Sequence, residues 1–192
     1  MMNYKLILGS QSPRRQQLMQ ELGIPFTTEV ISIDEHFPDD LAVDRIAEYL
    51  AREKGKAHLD SLTDDRLVIT ADTTVVIDQQ VLNKPHGAAE ARTMLRQLSG
   101  RSHRVISGVC FTTSQWQRSF SECTTVYFDP LAEEEISFYI EKYQPYDKAG
   151  SYAIQEWIGM IGISRIEGSY FNVVGLPVNR LYYELKQLGV KF

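Results

Sequence analysis

The sequence predicts an α/β fold on a mixed β-sheet, and three observations predict it. Short apolar runs rich in Val, Ile and Thr recur along the chain, the clearest at residues 67–77. Segments with apolar residues at helical spacing lie between them. The two kinds of segment are interleaved without strict strand–helix–strand alternation, which points to a mixed sheet rather than a purely parallel one. At 192 residues, 43% hydrophobic and 23% charged, the chain can bury a core as one domain or two closely joined lobes.

The elements follow in order. Residues 5–8 read as a strand bounded by Gly9. Ser12 then opens a helix as N-cap, with Pro13 at the first helical position. Leu18 and Leu22 give that helix its stripe, and Gly23 ends it. Residues 26–33 read as a second strand. Residues 41–62 read as a long helix with Ile46, Leu50 and Ala57 near helical spacing. The strand at 67–77 turns at 78–80. A helix at 88–98 is closed by Gly100. Residues 103–113 and 118–128 predict a hairpin around 114–117. Residues 131–143 read as a helix with an acidic first turn, as the helix dipole favours. The Gly- and Ile-rich segment 152–171 predicts a bent hairpin, and 179–188 a last helix after Pro177. No linker, low-complexity tract or internal repeat interrupts this, so the expectation is a single domain over 1–192.

Composition narrows the function. A net charge of −5 argues against a nucleic-acid polymer as partner, although a local cluster of cations can still hold a small anion. No apolar stretch reaches the length of a membrane span. Residues 1–10 carry Lys5 as their one charge and turn polar at once, unlike a signal peptide, so a cytoplasmic enzyme is expected. Cys110 and Cys123 lie in strand-like segments and are expected to be buried free thiols. There is no GxxxxGK[ST] loop, no GxGxxG after a strand and no GxSxG elbow. The four histidines lack zinc-type spacing, and His103, just after a helix cap, suits capping or core packing at least as well as a site.

Five groups of residues invite chemistry. Ser10-Gln11-Ser12-Pro13-Arg14-Arg15 places two arginines in the first turn of a helix, where the dipole disfavours cations by roughly 0.3–1 kcal/mol each. An anion filling that site, phosphate above all, would reverse the sign; arginines extending to solvent are the alternative. Asp72 stands inside an apolar strand, where a carboxylate is costly without a partner. Metal binding, general-base work, a bulge to water or a structural salt bridge would each account for it. Lys84, held beside Pro85, and Lys54, in a charged helical run, suit phosphate contacts or solvated surfaces. Asp34-Glu35 could give oxygen ligands to a hard cation, or form a solvated turn.

The segments SQSPRR, ADTTVV, NKP, LSGRSHRVISGV, DKAGSYAIQ and IEGSYFNVVGLPV resemble, in order and spacing, the Maf nucleotide pyrophosphatases over nearly the whole chain. That resemblance implies an elongated mixed sheet with flanking helices, in two lobes around a central cleft, related to the inosine-triphosphate pyrophosphatases. It implies phosphate binding by Ser10, Ser12, Arg14, Arg15, Lys54 and Lys84. It implies Asp72 as the catalytic acidic residue and Asp72 with Glu35 as the ligands of a divalent metal, Mg²⁺ or Mn²⁺. Arg14, Thr73 and Gln155 resemble the family branch associated with dTTP and UTP. The amide of Gln155 offers both donor and acceptor, which suits a pyrimidine's N3–H beside its carbonyls. Two places depart from the family pattern: Asn83 before Lys84-Pro85, and Glu156-Trp157 after Gln155, where Gly is common in both. The implied activity is hydrolysis of a small nucleotide to its monophosphate and pyrophosphate by metal-assisted water attack at the α-phosphorus, by a protein expected to form a homodimer. A non-hydrolytic nucleotide-binding regulator of cell division and septum formation is the other reading.

Overall fold

A computed structural model describes residues 4–190; residues 1–3 of the segment read against a signal peptide, and residues 191–192, lie outside the described residues. β1 (Lys5–Leu8) leads to α1 (Pro13–Glu21), β2 (Phe26–Thr28) and α2 (Val43–Lys56), and a 3₁₀ turn at Leu59–Ser61 precedes β3 (Arg66–Ile77). β4 (Gln80–Leu82), α3 (Ala88–Leu98), β5 (Ser102–Thr112), β6 (Gln117–Phe128) and α4 (Glu133–Tyr143) follow. A second 3₁₀ turn at Ala149–Ser151 precedes α5 (Trp157–Gly162), β7 (Ile163–Glu167), α6 (Tyr170–Val174) and α7 (Val178–Gln187). Among the described residues the strands form one sheet in the order β2-β1-β3-β5-β6-β7, with β4 on β3. β1 is parallel to β2 and β3, whereas β3–β4 and β6–β7 are antiparallel, so the sheet is mixed as expected.

The chain separates into two compact units. The first takes the chain up to Asp72, Ser107–Glu122 and the chain from Gly175 onward; the second takes Thr73–Ile106 and Cys123–Val174. In the first unit, Leu6, Ile7 and Leu8 of β1, Leu67, Val68 and Ile69 of β3, and Ile46, Ala47 and Leu50 of α2 are buried. α2 lies very close to the sheet. A Cβ at Gly108 of β5 would stand 2.3 Å from the Glu48 backbone nitrogen and 2.4 Å from the Ala47 carbonyl carbon. A Cβ at Gly55 would stand 2.3 Å from Thr112 Oγ1. The Thr70 hydroxyl donates to the Ala51 carbonyl at 2.6 Å, which ties α2 to β3.

In the second unit, Leu95 and Leu98 of α3 and Ile136, Tyr139 and Ile140 of α4 pack with Val75, Ile77, Val105, Val126 and Phe128 of the strands. His103 is buried there, its Nε2 2.7 Å from the Tyr152 hydroxyl and its ring 5.7 Å from that of Phe128. It is a core histidine. Burial pushes its pKa down to about 3. Protonation therefore favours the unfolded chain, where the ordinary value is about 6.5. The His103 contribution to stability is complete above about pH 6.5 and is lost progressively as the pH falls toward 3. His103→Gln is expected to flatten the fall of Tm between pH 6 and pH 4; a variant whose Tm falls as steeply as the wild type's would refute the assignment.

Four expectations are corrected. β2 is three residues long rather than extending to Ile33, because its partner β1 ends at Leu8, opposite Thr28. α2 stops at Lys56, where the His58 N–H turns back to the Gly55 carbonyl three residues before it and the helix tightens into the 3₁₀ turn that follows. The segment 152–171 holds α5, β7 and the start of α6 rather than a hairpin. Cys110 is buried but Cys123 is exposed; on β6 the residues Phe120, Thr124, Val126 and Phe128 face inward, and Cys123 falls on the opposite parity.

Candidate active site

The loop between β1 and α1 is built by its own hydroxyls. Ser12 caps α1 with an extended backbone (φ −63°, ψ 116°), and its side chain accepts from the Arg15 N–H at 3.4 Å. Pro13 fills the first helical position, as the sequence predicts. The Ser10 hydroxyl accepts from the Ser12 N–H at 3.3 Å and from Arg15 Nη1 at 3.5 Å. The Gln16 amide donates to the Ser10 carbonyl at 3.1 Å and closes the turn. No acidic residue stands in the first turn of α1, so its positive end is reinforced by Arg14 and Arg15 rather than compensated there. Such an end is suited to a phosphate.

Arg15 also ties the unit together. Its Nε donates to the Gly175 carbonyl at 2.8 Å and its Nη1 to the Ala71 carbonyl at 2.8 Å. Burial pushes the guanidinium below its ordinary value, against the pull of the Asp72 charge. The two carbonyls hold the start of α1 in place, the Ala71 carbonyl doing so from β3 one residue before Asp72.

Asp72 is the last residue of the first of that unit's three segments and is buried. Its Oδ1 lies 2.5 Å from Lys54 Nζ, and the same ammonium lies 2.7 Å from Glu35 Oε1. One lysine thus serves two carboxylates, and of the alternatives left by the sequence Asp72 takes an ion pair. The Lys54 side chain is 16% exposed, against 46% for Glu35, so the charged run on α2 is not a solvated face at this position. The close seating of α2 through Gly55 and Gly108 sets the approach of Lys54 to Asp72. Two carboxylates converging on one cation are a hard, all-oxygen donor set, which fits Mg²⁺ or Mn²⁺ when phosphate oxygens complete the shell. Among the described residues no group of three or more His, Cys, Asp or Glu side chains is placed to hold a metal.

The first unit therefore joins Ser10, Ser12, Arg15, Lys54, Glu35 and Asp72 through direct contacts, with Arg14 beside them on α1. Thr73, Lys84 and Gln155 belong to the second unit. Thr73 is half-buried on β3, and Lys84 is exposed after β4. Asn83, before it, accepts from the Gly150 N–H at 3.3 Å and is not among the left-handed residues, so replacing the family's Gly costs no backbone strain. Gln155 is exposed in a turn just before α5. Sequence reasoning passed over the carbonyls of Ala71 and Gly175, the Thr70 hydroxyl, and Gly55 and Gly108. The two glycines lie in segments already singled out; the carbonyls carry no sequence signal.

A family model described as Maf-like protein matches residues 5–188, and the chain belongs to that family. A protein of Bacteroides thetaiotaomicron named dTTP/UTP pyrophosphatase is 51% identical over 186 residues, covering 96% of each chain. One of the same name from Phocaeicola vulgatus is 54% identical over the same shares. Among solved structures, the Staphylococcus aureus Ham1 protein matches 96% of this chain and 99% of its own at 16% identity, with a TM-score of 0.49.

Proposed function

We propose that the chain hydrolyses nucleoside triphosphates, dTTP and UTP by preference, to the monophosphate and pyrophosphate. The observation that carries this is the single contact chain from the α1 terminus through Arg15 and Ala71 to Asp72, Lys54 and Glu35. It supports this reading by linking the positive end of α1 to a carboxylate able to take a proton. Ser10, Ser12, Arg14, Arg15, Lys54 and Lys84 bind and neutralise the triphosphate. Asp72 accepts the proton of the attacking water as its oxygen bonds the α-phosphorus and the bond to the pyrophosphate oxygen breaks. Asp72 and Glu35 would hold a divalent cation, which when bound polarises phosphate and water oxygens. The protein works as a single domain on a free nucleotide in the cytoplasm. The names of the relatives support the pyrimidine preference.

Thr73 and Arg14 complete the pyrimidine set, and Gln155 reads the base. Its amide accepts from the ring N3–H and donates to a ring carbonyl. Gln155→Glu keeps the acceptor and loses the donor, leaving a ring carbonyl against negative charge. That mismatch costs about 1–3 kcal/mol, or about one to two decades of specificity. The purified chain with Mg²⁺ is expected to release UMP and pyrophosphate from UTP. The ratio of kcat/KM for UTP to that for GTP is expected to fall in Gln155→Glu. A nucleotide-binding regulator would bind UTP and release neither product. An unchanged ratio would remove Gln155 from base recognition.

A further inference from the structure

Gln155 sits in a turn that one hydroxyl holds at both ends. The Glu156 N–H donates to the Ala153 carbonyl at 3.0 Å, so Ala153 to Glu156 is a tight turn with Ile154 and Gln155 at its tip. The Tyr139 hydroxyl, reaching up from α4, accepts from the Ala153 N–H at 3.2 Å and donates to Glu156 Oε2 at 2.5 Å. Burial and the Glu156 charge push this phenol up, so it stays a donor. The other oxygen of Glu156 faces Lys148, a cation that is 8% exposed, at 3.5 Å. The turn is also blocked from the side of α5: a Cβ at Gly159 would stand 1.8 Å from the Ile154 carbonyl oxygen. Trp157 is turned away onto the Phe138 ring, 4.7 Å between centroids.

We propose that Tyr139 and Glu156 are positioning residues for base selection, holding the Ala153–Glu156 turn so that the Gln155 amide is presented in one orientation. This rests on the reading of Gln155 as the residue that meets the base. Glu156 is then not a stray charge in the place of a family glycine. Its charge is used within the second unit by Lys148 and Tyr139, and its role is to pin the residue before it. An amide that reads a donor and an acceptor at once gains from such pinning, because a flipped or wandering amide loses the distinction.

Tyr139→Phe tests this, since it keeps the buried ring and removes both hydrogen bonds that the hydroxyl makes to the turn. Kinetics with UTP and GTP on this variant, on Glu156→Gln, on Glu156→Ala and on Gln155→Glu separate the outcomes. Tyr139→Phe is expected to lower kcat/KM for UTP about tenfold, mainly through KM, and to change that for GTP less than about twofold. Glu156→Gln keeps an acceptor for the hydroxyl and is expected to hold the wild-type ratio. Glu156→Ala is expected to follow Tyr139→Phe, and reads the same turn should the phenylalanine variant not fold. Equal losses on both nucleotides would mean a purely structural role and overturn the proposal. A changed ratio in Gln155→Glu with none in Tyr139→Phe would overturn it while leaving base reading by Gln155 intact. No change of ratio in any variant would overturn both.

Discussion

Asp72→Asn is expected to bind nucleotide with near-native affinity and to turn it over about 10²–10⁴-fold more slowly, the usual cost of losing a general base. The substitution keeps the shape of the side chain on a strand whose residues are nearly all buried. It removes the negative charge that draws Lys54. Lys54 retains Glu35 at 2.7 Å, so its ammonium is not stranded in a half-buried place and the fold survives. The β1–α1 loop, fastened through Arg15 to the Ala71 carbonyl rather than to the Asp72 side chain, stays where it is. Calorimetric titration with a non-hydrolysable UTP analogue measures the affinity, and pyrophosphate release measures the rate. Wild-type turnover in the purified variant would sink the assignment of Asp72 as the base.

Gly108→Ala is expected to harm both stability and catalysis from outside the site. The new Cβ would press on backbone atoms of Ala47 and Glu48, which no rotamer change can move aside. α2 must shift as a body. Overpacking of this kind costs about 1–3 kcal/mol, which in a chain of this size lowers Tm by about 2–4 °C per kcal/mol. Lys54 travels with the helix, and a displacement of about 1 Å in a catalytic array costs on the order of 10²-fold in rate. Thermal unfolding and turnover, the latter assayed well below either Tm, check the two halves separately. A variant with native Tm and native rate would show that the seating of α2 does not set the position of Lys54.

The legible parts of the fold were those whose signals are local. Ser12-Pro13 announces a capped helix because cap and first turn are written within three residues. The Val- and Thr-rich run of β3 and the turn at Asp78 and Gln79, both left-handed in the structure, are local too. In the segment 152–171, Gly159 and Gly162 lower helix propensity and favour the hairpin reading, while the packing of α5 against the Ile154 carbonyl overrides it. In the site, the serine-capped, arginine-bearing start of α1 is legible in the pattern. Lys54 is legible there only as one of two alternatives, because its run of charges gives no sign of which cation faces a strand. The Arg15 bond to Gly175 spans 160 residues and leaves no trace in either segment.

That long bond bears on how the protein is made. The second unit is complete once residue 174 has been added, whereas the first takes its final segment from Gly175 onward. During synthesis, Arg15 waits for its Gly175 partner, which lies 160 residues further along the chain. The second unit has every residue it needs to fold before that, in the order in which nascent chains fold. The Arg15 anchor therefore forms only after every residue of the second unit has been added, and shorter nascent chains carry a β1–α1 loop that is not yet fastened to Gly175.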